Sequence, residues 1–134
     1  MKTIKTNGTV TSGQAIANQY TQIPWAKRQI EEKLGFTPYP GTLNLNLSDK
    51  EAKKVKDILK DSRGIGITPA EGFLPAQCFT AIVMDRVEGA IVLPQKTDYP
   101  PSLLEIAAPV YLRRELSLKD GNQIEITILP DQGP

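Results

Sequence analysis

Few side chains in this sequence can do chemistry, and most of those are neutral oxygens or isolated charges. There is no histidine and a single cysteine, Cys78. Without histidine, Ser-His and Cys-His nucleophile pairs and the usual zinc-ligand sets are excluded. Proton transfer is left to Asp, Glu, Lys or Tyr. Cys78 lies in the apolar run Cys78-Phe79-Thr80-Ala81-Ile82-Val83, which suits a small core residue better than a nucleophile. Neither a Gly-x-x-x-x-Gly-Lys-Ser/Thr loop nor a Gly-x-Gly-x-x-Gly fingerprint is present, and loop flexibility accounts for Gly64-Ile65-Gly66.

Five groups remain as candidates. In Gly41-Thr42-Leu43-Asn44-Leu45-Asn46-Leu47 the leucines alternate onto one face of a strand, leaving Thr42, Asn44 and Asn46 on the other. That second face is either an ordinary exposed polar surface or a shelf of neutral oxygens. Thr42 and Asn44 would suffice for Mg²⁺, which keeps several waters, if substrate phosphates supplied the negative charge. Ser12-Gly13-Gln14-Ala15-Ile16-Ala17-Asn18 is either a tight turn or a small-residue loop whose backbone N–H groups meet phosphates. Lys96-Thr97, after a strand ending at Pro94, is a solvated loop or a holder of phosphate or a ribityl chain. Glu105, among Leu103, Leu104, Ile106 and Ala107, is functional or else closes a capping box with Ser102. Arg113-Arg114 beside Tyr111 can bind phosphate and stack on a base, or can form a surface turn paired to Glu115.

The elements that must position these groups can be read from periodicity. Residues 3–12 form a strand pair or one strand bent around Asn7-Gly8. Residues 25–34 are helical, with Ile30 and Leu34 on one face and Gly35 as the stop. Ser48-Asp49-Lys50-Glu51 is a capping box that opens a helix to about Lys60, with Ala52, Val55, Ile58 and Leu59 inward. Residues 61–77 read as an extended loop or short irregular strands. Residues 78–85 and 89–94 form a hairpin turning at Arg86-Val87-Glu88. A proline-containing loop spans 95–102, a short helical patch spans 111–116, and Asp120-Gly121 turns into a last strand over 123–129. Residues 130–134 are expected to fray. Many short strands, two or three helices and no βαβα alternation indicate a mainly β fold, a small barrel or sandwich with helical insertions.

The chain of 134 residues fits one domain, residues 1–134, around one core. A net charge of +1 and an aromatic content of 6% argue against a nucleic-acid partner. No apolar run reaches the ~20 residues a membrane span needs. Met1-Lys2-Thr3-Ile4-Lys5 lacks a signal-peptide core, so a cytoplasmic location is expected and the sequons at Asn7 and Asn46 carry no meaning. A monomer is expected.

Taken in order, the motifs resemble the archaeal-type, CTP-dependent riboflavin kinases. The resemblance rests on Gly8-Thr9-Val10-Thr11-Ser12-Gly13, on Leu34-Gly35-Phe36-Thr37-Pro38-Tyr39-Pro40-Gly41-Thr42-Leu43-Asn44-Leu45, and on Glu88-Gly89-Ala90-Ile91-Val92-Leu93-Pro94. Lys96-Thr97, Glu105-Ile106-Ala107-Ala108-Pro109, Leu112-Arg113 and Leu118-Lys119-Asp120-Gly121 complete it. It implies a six-stranded cradle-loop barrel with peripheral helices, distantly similar to bacterial transition-state regulators of DNA binding. It implies transfer of the CTP γ-phosphate to the riboflavin 5′-hydroxyl with Mg²⁺, giving FMN and CDP. By the same resemblance Thr42 and Asn44 match the magnesium ligands, and Thr97 and Glu105 match flavin contacts. Gly13, Gln14, Ala15, Ile16, Ala17 and Asn18, together with Val110, Tyr111, Leu112 and Arg113, match the nucleotide-binding segments. Glu105 is the candidate base, and Lys96 would neutralise phosphate charge.

The first nucleotide loop of that family usually reads Ser-Gly-x-Gly-x-Gly, whereas here Ala15 and Ala17 replace two glycines. Alanine disfavours positive φ and adds a methyl where backbone would approach a ligand. The alternative expectation is therefore a non-catalytic flavin-binding or flavin-sensing module that keeps the pocket but has an altered nucleotide loop.

Overall fold

The leucine alternation of residues 43–47 becomes the inner face of a barrel wall. A computed structural model of the chain describes residues 3–12 and 20–130. The segment Gly13 to Asn18 and the tail over 131–134 lie outside the described residues. The strands are β1 (Ile4–Thr11), β2 (Leu43–Asn46), β3 (Ile65–Ile67), β4 (Ala76–Val83), β5 (Val87–Pro94), β6 (Leu103–Ala107) and β7 (Gln123–Ile128). The helices are α1 (Pro24–Leu34), α2 (Asp49–Lys60) and α3 (Leu112–Glu115).

Every strand pairing is antiparallel, and the order β4-β5-β6-β2-β1-β7 closes through a β4–β7 pairing into a six-stranded barrel. β3 extends the sheet beside the start of β4. Closure leaves these six strands no free edges to manage. One cluster fills the interior, including Val10, Leu43, Leu45, Phe79, Ile91, Leu104, Ile106 and Ile126. A second, including Cys78, Ala90, Val92 and Ala107 on the opposite strand faces, packs beneath Ala26 and Ile30 of α1. β6 is thus buried on both faces along its whole length. The strands approach so closely here that a Cβ on Gly89 would lie 2.4 Å from the Ala107 carbonyl oxygen. Only glycine fits at that position.

The helices start and stop as their sequences dictate. α1 opens with Pro24 and closes on Gly35 at φ 82°, whose N–H donates to the Glu31 carbonyl. The Ser48 hydroxyl caps α2 by accepting from the Glu51 N–H. Glu51 itself reaches β1, accepting from Thr6 Oγ1 at 2.7 Å and pairing with Lys54 at 2.8 Å. Ala52, Val55 and Leu59 of α2 join the interior cluster.

Several local expectations change. β1 is a single continuous strand, held along its length by β7 from Ile4↔Ile128 to Thr9↔Gln123. The hairpin turns at Met84–Arg86, ahead of the expected residues, because Met84 and Asp85 adopt positive φ and Val83 pairs with Val87. Ile58 is exposed, since Val55 and Leu59 already fill the inward stripe of α2. Ser102 caps no helix: the ladders to β2 and β5 hold residues 103–107 extended. Cys78 is wholly buried, and burial pushes its thiol up to about 12, as befits an inert core residue.

Candidate active site

Asn44 and Glu105 are directly opposed on β2 and β6, so both side chains project on the same face, away from the leucines. That face is not the exposed polar surface that Asn44 alone would suggest. Asn44 is 4% exposed and Glu105 is 0% exposed. A buried carboxylate is costly unless hydroxyls or amides compensate it. Thr42 Oγ1 lies 2.9 Å from Glu105 Oε1 and 3.1 Å from Asn44 Oδ1. Tyr99 OH donates to the other carboxylate oxygen, Oε2, at 2.9 Å. Burial, followed by the Glu105 charge and hydrogen bond, raises the Tyr99 phenol well above its ordinary range, so this phenol stays protonated and donates.

Two recesses flank this chain of hydroxyls. A cleft of about 220 Å³ is lined by Thr42 and Asn44, by Tyr39, and by Val110, Tyr111, Leu112 and Arg113. A second pocket, of about 490 Å³, is lined by Tyr99, Lys96 and Thr97, and floored by Leu47, Phe79 and Leu104. Only this pocket falls within the roughly 300–1,000 Å³ typical of sites that enclose a whole small molecule. Of the hydroxyl-bonded cluster, Thr42 and Asn44 face the first recess and Tyr99 the second, with Glu105 between them.

At the floor of the cleft Arg113 acts as a clamp. Its Nη2 donates to the Thr11 carbonyl, to Ser12 Oγ and to Asp120 Oδ1, the last at 2.6 Å. The Arg113 guanidinium, then the Ser12 hydroxyl, holds the Asp120 carboxyl below its usual range. The ion pair therefore goes to Asp120 and not to Glu115. Tyr39 stacks on Tyr111 with centroids 5.1 Å apart, and Arg114 lies over the Tyr111 ring. This leaves a flat aromatic pair at the mouth of the cleft.

The geometry thus brings Thr42, Asn44 and Glu105 together, and places Val110 to Arg113 in the cleft beside them. Thr97 and Lys96 are exposed at the rim of the other pocket, where Lys96 sits 3.5 Å from Asp98. Ser12, which precedes the Gly13 to Asn18 segment, lines the cleft. Sequence reasoning missed Tyr99, Tyr39 and the α2 residues Val55, Lys56 and Leu59 that line the larger pocket. Tyr99 carried one signal, a tyrosine beside two prolines in a chain with only four tyrosines.

Thr42 and Asn44 offer hard, neutral oxygens, the donor type that suits Mg²⁺. Among the described residues no group of three or more His, Cys, Asp or Glu could hold a metal ion. A cation on this shelf would take its charge balance from ligand phosphates. Also among the described residues, no helix is long and apolar enough to cross a membrane.

A family model described as "CTP-dep_RFKase: Domain of unknown function DUF120" matches residues 10–128. The curated riboflavin kinase of Archaeoglobus fulgidus is 40% identical over 131 residues, covering 95% of this chain and 55% of that protein. That of Methanococcoides burtonii is 40% identical over 128 residues, covering 90% of this chain and 55% of that protein. That of Ignicoccus hospitalis is 39% identical, covering 95% and 72% respectively. The chain spans about half the length of the first two relatives. A match over nearly the whole barrel, with relatives at this identity, is decisive: the chain belongs to the CTP-dependent riboflavin kinase family.

Proposed function

We propose that the chain transfers the γ-phosphate of CTP to the 5′-hydroxyl of riboflavin, giving FMN and CDP. The observation that carries this reading is the position of Glu105. Its carboxylate lies in the wall between two recesses, bonded to a hydroxyl that lines each one. Phosphoryl transfer needs that layout, an acceptor hydroxyl on one side, polyphosphate on the other and a carboxylate at the junction.

The larger pocket takes the flavin, with its apolar floor under the ring system and Thr97 at the rim. The smaller cleft takes nucleotide along Val110, Tyr111, Leu112 and Arg113, and Gly13 to Asn18 are assigned to the same nucleotide by the resemblance in sequence. Thr42 Oγ1 and Asn44 Oδ1 are the residues that would hold Mg²⁺, which when bound neutralises phosphate oxygens. The Thr42 hydroxyl has one proton, and Glu105 Oε1 is its nearer acceptor, so the threonine lone pairs turn toward the cleft. Glu105 Oε2 accepts the proton of the ribityl hydroxyl as it attacks. Lys96 neutralises charge from the rim. The net charge of +1 favours these small-molecule partners over nucleic acid.

The test is FMN formation from riboflavin and Mg²⁺ with CTP, ATP, GTP and UTP in parallel. CTP alone should support turnover. No FMN from any nucleotide, with riboflavin fluorescence still quenched on binding, would leave a flavin-binding module. Ala15→Gly with Ala17→Gly would then show whether the altered loop is the reason.

A further inference from the structure

Glu105 has no accessible surface, so nothing entering the larger pocket can touch it in this conformation. If Glu105 accepts the substrate hydroxyl, as the reading above requires, a covering group must move. Two side chains with known bonds cover it. Thr42 immediately precedes β2, and β2 is laddered to both β1 and β6. Tyr99 belongs to the connection between β5 and β6, which is anchored at its two ends, where Gln95 N–H donates to the Pro75 carbonyl and the Ser102 carbonyl accepts from Leu47 N–H. Between those anchors Tyr99 N–H bonds locally to Lys96 O, and Leu103 N–H to Pro100 O. The flanking residues 95–98 are exposed, and Tyr99 itself lines the pocket. Of these two hydroxyls, Tyr99 is the one carried by the less tethered backbone, on the flavin side.

We propose that Tyr99 is a removable cap: before riboflavin binds, its hydroxyl holds the place on Glu105 Oε2 that the ribityl 5′-hydroxyl takes afterwards. The exchange is hydroxyl for hydroxyl, so the carboxylate keeps a donor throughout and never stands buried and unsatisfied. Residues 96–101 shift outward with Tyr99 between those anchors and carry Thr97 and Lys96 along, which opens the pocket at its rim. The capped form is a reserve that the substrate must displace, and it weakens apparent affinity by the fraction of time the cap is closed. The cap also discriminates. A flavin lacking a hydroxyl at the end of its side chain has nothing to exchange with Tyr99, so the cap selects for the reactive group itself.

The experiment measures riboflavin dissociation constants by flavin fluorescence on the full chain, wild type and Tyr99→Phe. Phenylalanine keeps the apolar cover and removes the competing donor. Riboflavin Kd should fall at least about tenfold, the lower end of the roughly 10- to 150-fold that a hydrogen bond to a charged group represents. An unchanged or weaker Kd overturns the cap, and a drop in kcat at constant Kd would instead make Tyr99 a permanent orienting group. A second measurement covers the case of an unfolded variant. With 3-fluorotyrosine at position 99 of the otherwise native chain, the ¹⁹F signal should shift on adding riboflavin and stay put on adding lumiflavin, which lacks the hydroxylated chain. An equal response to both overturns the proposal. Wild-type protein that binds no riboflavin at all refutes the substrate reading first, and the inference with it.

Discussion

Asn44→Leu separates the role of the β2 shelf from its contribution to folding. Leucine has the same branching at Cγ and the same number of heavy atoms as asparagine. Asn44 is 4% exposed, so the substitution is a packing change and not a surface one. Thr42 Oγ1 loses its acceptor at 3.1 Å but keeps the nearer one, Glu105 Oε1 at 2.9 Å. No polar group is orphaned among these three. The remaining cost is the slightly larger bulk of two methyls, about 1–2 kcal/mol in a tight site. That corresponds to a melting temperature roughly 4–10 °C lower for a domain of this size. The functional loss should be far greater. With one of two protein oxygens gone from the proposed Mg²⁺ shelf, turnover should fall at least about 100-fold, or roughly 2.7 kcal/mol of transition-state stabilisation. The assays are a circular-dichroism melt, FMN formation across a Mg²⁺ titration, and calorimetric CTP binding with and without Mg²⁺. Full turnover with unchanged Mg²⁺ dependence would refute the shelf. Collapse of the melt along with the activity would make Asn44 a structural residue only.

Further outcomes follow from the same geometry. Glu105→Gln should fold, because the amide oxygen can still accept from Thr42 and the amide nitrogen can donate to the Tyr99 oxygen, yet FMN formation should drop about 10²- to 10⁴-fold; turnover within a factor of two would remove Glu105 as base. The Asp120 carboxyl is held below its ordinary 3.8 by Arg113 and Ser12. A depressed folded value means the clamp contributes fully above pH 3.8 and is lost only as pH falls through the lower folded value. Carbon-13 titration of the Asp120 carboxyl should therefore give a midpoint under 3.8, and a midpoint at or above that value would show that the clamp does not persist in solution.

What could be read from the chain alone was what local patterning dictates. Leu43, Leu45 and Leu47 announced an inward strand face by their alternation, and Ser48 a helix start and Gly35 a helix stop, which rest on bonds to Glu51 and Glu31 close by in sequence. Glu105 was visible as an anomaly, but its choice between strand and helix cap depended on ladders to β2 and β5. The burial of Asn44 depended likewise on a partner strand; Thr42 and Glu105 are bonded across 63 residues of sequence. Tyr99 and Tyr39 were not legible as site residues because each lies in a connection, and no periodicity says where a loop side chain points. The exposure of Ile58 follows from the rotation of α2 on the interior cluster, which two correct neighbours, Val55 and Leu59, could equally have allowed. Short irregular strands are one of two readings of residues 61–77; β3 is such a strand, and its pairing to β4, set by tertiary context, decides between them.

The β1–β7 seam has a consequence for how the chain can be rewired. Ile4 lies opposite Ile128, so the two ends of the barrel run are hairpin neighbours. A short linker joining them would close the polypeptide into a ring, and new ends could then be opened at the Met84–Arg86 turn, a position on neither recess. Such a circular permutant would keep all six strands in the same cyclic order around the barrel and keep Asn44 opposed to Glu105. The opposition of Asn44 to Glu105 then depends on the cyclic order of the strands and not on their linear order in the sequence.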